Sequence, residues 1–463
     1  MAVTIKVPVN TAVIEDNASC VVGTEFKEGV GVIHLDARRQ NHREILGLPR
    51  GRKLHWSKET REYEAQELSS FPWPMRYHVT TADAWYLDQE GNRVHYSPPI
   101  LGLDPFAKVS DAVKRAAVLL TVIGAIGYRR VAWLLQELFR VSTSKSALAR
   151  WVKDVASQLP SKEEIVQLLN EDKPIAEGHF DEIFPRGKAG GCVLVLKDEH
   201  GRIVVTEQVE SRDEEHVKSF LQKVKDLGLK IRTFYIDTCQ AYRKAIPLVF
   251  PEARIQLDLF HIIQNVWRHI WKFFIRRRRE IAASAEKSST PWYKARLKEL
   301  ASSLWKNRHL LFKSEKRMSD EEKAQLVEIC ESDAKVGRIR AFLSGVWRIF
   351  NDSSDEAEAR KALDALKRQG YAQESKHHEK ALNFLEDTFH QATTYLREKD
   401  VNRNSLAECG MRTLRRLEAE HDGFRTDDSR EDFLRIYQAV KYLGWSLYGP
   451  VPGREKGKMA SPS

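Results

Sequence analysis

The chain has 463 residues, enough for two to four domains with at least one well-buried core. Hydrophobic residues make up 42% and charged residues 30%, the balance of a folded protein with a charged surface. The formal charge of +10 favours a polyanionic partner, nucleic acid ahead of an acidic membrane surface. No apolar run is long enough to span a bilayer; the best candidate, AAVLLTVIGAIG at 116–127, is too short and flanked by charge. The first residues carry early acids and no compact apolar stretch, so no secretory signal is expected. Five cysteines (Cys20, Cys192, Cys239, Cys330, Cys409) stand singly without a CxxC pair. That spacing argues against a disulfide framework or a cysteine-type zinc finger, and for a reducing, cytoplasmic compartment.

Residues 1–107 read as an irregular β-rich domain containing many Gly, Pro and Trp, with a hairpin turned at Glu90-Gly91-Asn92. A helical segment follows over 108–172. Within it, a helix at Tyr128–Phe139, a turn at Val141-Ser142-Thr143 and a second helix opened by Ser144 have the rhythm of a helix-turn-helix. Lys145, Ser146 and Arg150 would then face DNA; an ordinary αα-hairpin fits the same rhythm.

Residues 173–264 change period. A strand carrying Asp181 precedes a hairpin through Asp198-Glu199-His200-Gly201. An amphipathic helix, the strand ending at Asp237, a helix and a last strand come next. The order βββαβαβ followed by helix predicts a mixed α/β sheet of the ribonuclease-H-like kind. Residues 265–397 read as an α-helical insertion, after which 398–446 return to the catalytic domain and 447–463 form a flexible tail. Residues 265–317 hold fifteen Lys and Arg against four Glu, a net of +11. Arg276, Arg277, Arg278 and Arg279 are expected to contact DNA, whereas the interleaved Trp267, Trp271, Phe273, Phe274, Trp292 and Tyr293 are expected chiefly as core.

Three acids stand out: Asp181 in HFDEIF, Asp237 in YIDTCQAY and Glu408 in NSLAECGMRTLRRLEAEHDGF. A carboxylate beside an apolar strand is costly unless it is paired or holds a metal. Two strand-borne acids with a third from a helix make an all-oxygen site suited to Mg²⁺. Two such ions, with Mn²⁺ as a substitute, serve phosphoryl transfer. Because side chains alternate along a strand, Glu182 should point away from the site that Asp181 faces.

The chain resembles the DDE transposases of bacterial insertion sequences, including Mutator-like relatives. The residues that carry the resemblance are HFDEIF, the stretch YIDTCQAYRKAIPLVFPEARIQLDLFHIIQN, and NSLAECGMRTLRRLEAEHDGFR. It implies that Asp181, Asp237 and Glu408 are the catalytic metal ligands. Asp258 and His261, the family's Asp-x-x-His element, would lie beside the site in a structural role. Arg412, Arg415 and Arg416 would hold phosphates near the acids. The implied activity is binding of terminal inverted repeats in double-stranded DNA, cleavage and strand transfer, by a homodimer or larger assembly at the bacterial nucleoid. A domesticated DNA-binding regulator and a structure-specific nuclease are the competing readings.

Overall fold

The computed structural model describes residues 17–27, 30–49, 51–70, 73–98, 100, 103, 107–184, 191–403, 414–416, 419–420 and 426–447. They form two compact units. The first comprises the described residues up to Lys173 together with those from 414 onward; the second comprises Pro174–Phe184 and 191–403.

The first unit opens with seven strands: β1 (Val21–Lys27), β2 (Val30–Asp36), β3 (His55–Trp56), β4 (Arg61–Ser70), β5 (Trp73–Thr81), β6 (Ala84–Leu87) and β7 (Arg93–Tyr96). They build a four-stranded sheet in the order β1-β2-β5-β4 and a three-stranded sheet β3-β6-β7. Strict alternation in β2 buries Ile33 and Leu35 against Tyr77 and Val79 of β5. The hairpin expected around Gly91 is β6–β7, and Gly91 takes φ +87°, where a side chain would be strained. Helices α1 (Asp111–Val122), α2 (Tyr128–Phe139), α3 (Lys145–Ser157) and α4 (Lys162–Asp172) follow. Ser144, the cap read from the sequence, does cap α3 through its side-chain oxygen, and Ser110 and Ser161 cap α1 and α4 in the same way. The buried carboxylate of Glu67 ties β4 to its surroundings. It accepts from Tyr77 Oη of β5 at 3.0 Å and from Ser110 Oγ, at the start of α1, at 2.8 Å.

The sequence reading grouped 398–446 with the catalytic region, yet the helix Asp427–Lys441 packs on α3 and α4 in the first unit. Arg435 shows why. Its guanidinium donates to the carbonyls of Ala156, Leu159 and Pro160, placing a cation at the carbonyl-rich end of α3.

The second unit is built on β8 (Glu177–Ile183), β9 (Cys192–Lys197), β10 (Ile203–Val209), β11 (Thr233–Ile236) and β12 (Arg254–Leu257). Their order in the sheet is β10-β9-β8-β11-β12, antiparallel among the first three and parallel from β8 to β12. Crossover helices α5 (Glu214–Asp226) and α6 (Gln240–Val249) supply the long connections that parallel strands require. The buried run of β9, Cys192 to Lys197, reads as a central strand covered on both faces.

A long helix α7 (Leu259–Lys287) leaves the sheet and starts the helical insertion. Its Ile262, Val266, Ile270 and Phe274 recur every four residues and are fully buried. The insertion continues through α8 (Pro291–Lys306), α9 (Asp320–Ser332), α10 (Ala334–Asn351), α11 (Glu356–Arg368) and α12 (Lys376–Ala392). A Cβ at Gly345 of α10 would stand 2.5 Å from Leu366 Cδ1 of α11, so glycine permits that close crossing.

After α12 the chain comes back to the sheet edge. Gln256 of β12 donates to the Ala392 carbonyl at 3.2 Å and accepts from Tyr395 N–H at 2.9 Å. Thr394 Oγ1 donates to the Ile255 carbonyl at 2.7 Å, and Arg254 grips Asp400 through two bonds of 2.8 Å. Among the described residues no helix is long and apolar enough to cross a membrane.

Candidate active site on the five-stranded sheet

The register of β8 against β11 runs from Glu177–Thr233 to Phe180–Ile236. The next step brings Asp181 level with Asp237, on strands about 4.8 Å apart. Alternation sets their common face. Phe180 stacks on Phe220 of α5 and packs on Tyr242 of α6, so Phe180 and Ile236 face the crossover helices. His179 and Tyr235 lie on the opposite face, stacked at 4.5 Å, and Asp181 and Asp237 belong to that face two residues further on.

Glu182 points the other way, as alternation requires. It is buried and accepts hydrogen bonds from Tyr242 Oη and from Arg212. Burial pushes its carboxyl above the usual range, with Asp237 adding repulsion, while Tyr242 and Arg212 pull it back down.

Asp181 and Asp237 are half-buried. Burial raises the Asp237 carboxyl, and the charge of Asp181 adds to the rise. The Cys239 N–H, donating to Asp237 Oδ1 at 2.7 Å, opposes it, as do His261 and Arg212. His261 is thus brought to the acids by the first turn of α7. Asp258 caps that helix, accepting from Phe260 N–H at 2.9 Å. A further clamp is Asn265, whose Nδ2 donates to Thr238 Oγ1 at 2.6 Å and ties α7 to the loop after Asp237.

Glu408 and Arg412 lie outside the described residues. The chain approaching them is well anchored: Asn402 N–H donates to Tyr235 Oη at 2.7 Å. Tyr235 stands two residues before Asp237 and on the same face, a role that sequence reasoning missed. Its only signal was an aromatic with a polar tip in an otherwise apolar strand. Arg212 was missed too, because the loop between β10 and α5 carries no motif. Among the described residues no group of three or more His, Cys, Asp or Glu is placed to hold a metal.

The expected DNA contacts divide by environment. Lys145 and Arg150 are exposed on α3, and Arg415 and Arg416 are exposed in the first unit. In the arginine run Arg276 and Arg279 are exposed. Arg276 pairs with Glu280 at 3.1 Å along its own helix, Arg277 is engaged with Asp333 at 2.7 Å and Glu280 at 3.2 Å, and Arg278 lies 4.8 Å over the Trp305 ring. The aromatics divide likewise: Phe273 and Phe274 are core, while Trp292 and Tyr293 are exposed.

The family model described as Transposase, that of the ISL3 group, matches residues 180–429, more than half of the chain. The chain belongs to the ISL3 transposase family. The matched span begins one residue before Asp181 and contains Asp237 and Glu408. A search of curated proteins found no match to this transposase. Among solved structures it is similar to the Drosophila P element transposase strand transfer complex, at 14% identity and a TM-score of 0.36. That match covers 72% of this transposase and 92% of the other chain.

Proposed function

We propose that this transposase cuts DNA at the ends of its mobile element and joins them to target DNA, using Asp181, Asp237 and Glu408. The observation that carries the reading is the pairing of β8 with β11. It sets Asp181 and Asp237 side by side on one face of a mixed sheet ordered β10-β9-β8-β11-β12, an order that supports the ribonuclease-H-like reading. Support for Glu408 comes from the anchored return of the chain: Asn402 is bonded beside Asp237, six residues ahead of Glu408.

The donor set fits a hard divalent cation. All three side chains offer carboxylate oxygens, and the repulsion and burial that raise the Asp237 carboxyl are penalties a bound cation removes. Two Mg²⁺ ions there, or Mn²⁺ in their place, would activate the attacking oxygen and stabilise the leaving oxygen of an in-line displacement. The chain's own residues position these ligands. Cys239 N–H orients the Asp237 carboxylate, and Tyr235 fixes the approach of the third acid. Exposed Lys145 and Arg150 on α3, with Arg276, Arg279, Arg415 and Arg416, are assigned to DNA phosphates. Binding at two element ends calls for a dimer or larger assembly.

The deciding experiment incubates linear DNA carrying the element's ends with Mg²⁺, Mn²⁺ or EDTA. End-specific nicks and joined products are expected from the parent chain with either metal. Asp237→Asn is expected to bind the ends as before and to cut nothing. Full cleavage by that variant sinks the ligand assignment, structure-dependent cuts indicate a nuclease, and binding without any cut indicates a regulator.

A further inference from the structure

The first unit carries a basic cleft that the catalytic reading leaves unused. It encloses about 590 Å³ and is walled by Arg38, His42, Arg43, Arg52, Lys53 and Trp56. Residues 30–56 hold six Lys and Arg against two acids, a net of +4 where the whole chain carries +10. The way these cations are held matters more than their number. Arg38 is neutralised by Asp36 through a 2.8 Å ion pair. Among the described residues, Arg43 and Arg52 are held by carbonyl oxygens instead. Arg43 donates to the Pro49 carbonyl at 3.1 Å, and Arg52 donates to the carbonyls of Leu87, at 2.8 Å, and Asp88.

Carbonyl oxygens fix a guanidinium in place without cancelling its charge, so the cations are pre-oriented for an anion from outside. Lys53 is exposed at the same rim. Trp56 packs edge-on against His42 at 5.1 Å, while His42 Nδ1 pairs with Tyr96 Oη at 2.9 Å. The indole is thereby steadied and still 37% exposed. Oriented cations beside an exposed flat ring suit a chain of phosphates joined by sugars.

We propose that this cleft binds the phosphodiester backbone of DNA without regard to sequence, through Arg43, Arg52 and Lys53. The choice of DNA as the polyanion rests on the transposase reading; the site itself requires no metal. The test uses the full-length chain in EDTA and labelled duplexes of equal length, one with an element end and one of scrambled sequence. Affinity is measured by fluorescence anisotropy between 50 and 200 mM salt, conditions over which phosphate contacts separate well.

Arg43→Ala with Lys53→Ala is expected to weaken both duplexes alike, by about tenfold at the low-salt end. The slope of log affinity against log salt should fall by about 2, one for each phosphate contact removed. Both side chains are exposed, so an unchanged melting temperature verifies the fold. Unchanged affinity and slope overturn the proposal, as does a loss confined to the element-end duplex, which would mean base reading. Absence of binding by the parent chain to either duplex overturns it as well. A parent chain that binds both duplexes but cuts neither when metal is restored leaves the cleft standing and defeats the catalytic assignment.

Discussion

At the scale of single residues, the acids are held by neighbours that carry no motif. Tyr235 is the clearest case. Its hydroxyl is fully enclosed, accepts the Asn402 N–H and leans toward Glu177 Oε1 at 3.4 Å. Tyr235→Phe keeps the ring stack on His179 and removes the hydroxyl, leaving the Asn402 N–H unpaired and Glu177 Oε1 without its long 3.4 Å donor, at a cost of about 1–3 kcal/mol. Single-turnover cleavage of saturating DNA is expected to slow about tenfold while the Kd for DNA stays constant, the mark of a displaced group rather than of lost binding. A parallel loss of binding, or a rate equal to the parent's, argues against this positioning role.

At the scale of elements, the helical insertion has its own core and its own titration. His378 of α12 is fully buried, ringed by Phe273, Phe342 and Tyr371 from α7, α10 and the turn before α12. Ser375 meets its Nδ1 at 3.0 Å. Burial lowers its pKa to about 4; Arg338 and His377 add to the fall and Glu374 opposes it. An unfolded histidine takes its proton near pH 6.5, so between about 6.5 and about 4 the unfolded chain binds more protons than the folded one. Stability contributed at this site is therefore present above pH 6.5 and lost as pH falls toward 4, a loss on the order of 3 kcal/mol. Urea midpoints at pH 7, 5.5 and 4.5 measure it. His378→Gln should flatten that pH dependence, and an identical fall in the variant would assign it elsewhere.

At the scale of the whole molecule, the proposed ligands make stability respond to metal. A cation that binds only the folded chain adds about 1.4 kcal/mol at ten times its dissociation constant. Thermal melts of the parent with Mg²⁺ are expected to shift upward. Asp181→Asn should abolish the shift, and its own metal-free melting should not drop, since one of two repelling charges is gone. A persistent Mg²⁺ shift in that variant would place the cation somewhere else.

Much of the architecture was legible because local rules and tertiary structure agree. The serine cap at Ser144 marked α3, and period-2 and period-3.6 patterns separated strands from helices over 177–287. Asp181 and Asp237 drew notice in the sequence because a carboxylate at the end of an apolar strand is a local anomaly. Other features were decided only by folding. Arg276 to Arg279 are identical in sequence, yet only their surroundings make Arg277 an ion-pair partner of Asp333 and Arg278 a cover for Trp305. The grouping of Asp427–Lys441 with α3 depends on carbonyls 275–279 residues away. The role of Tyr235 likewise depends on a backbone N–H 167 residues later. By itself the sequence determined which residues carry charge, which segments alternate and which acids are out of place, because these follow from neighbours a few positions apart. Tertiary structure alone decided which charges are paired, which are exposed, and where the insertion hands the chain back to the sheet. Such pairings join positions that only the closed fold brings within hydrogen-bond reach.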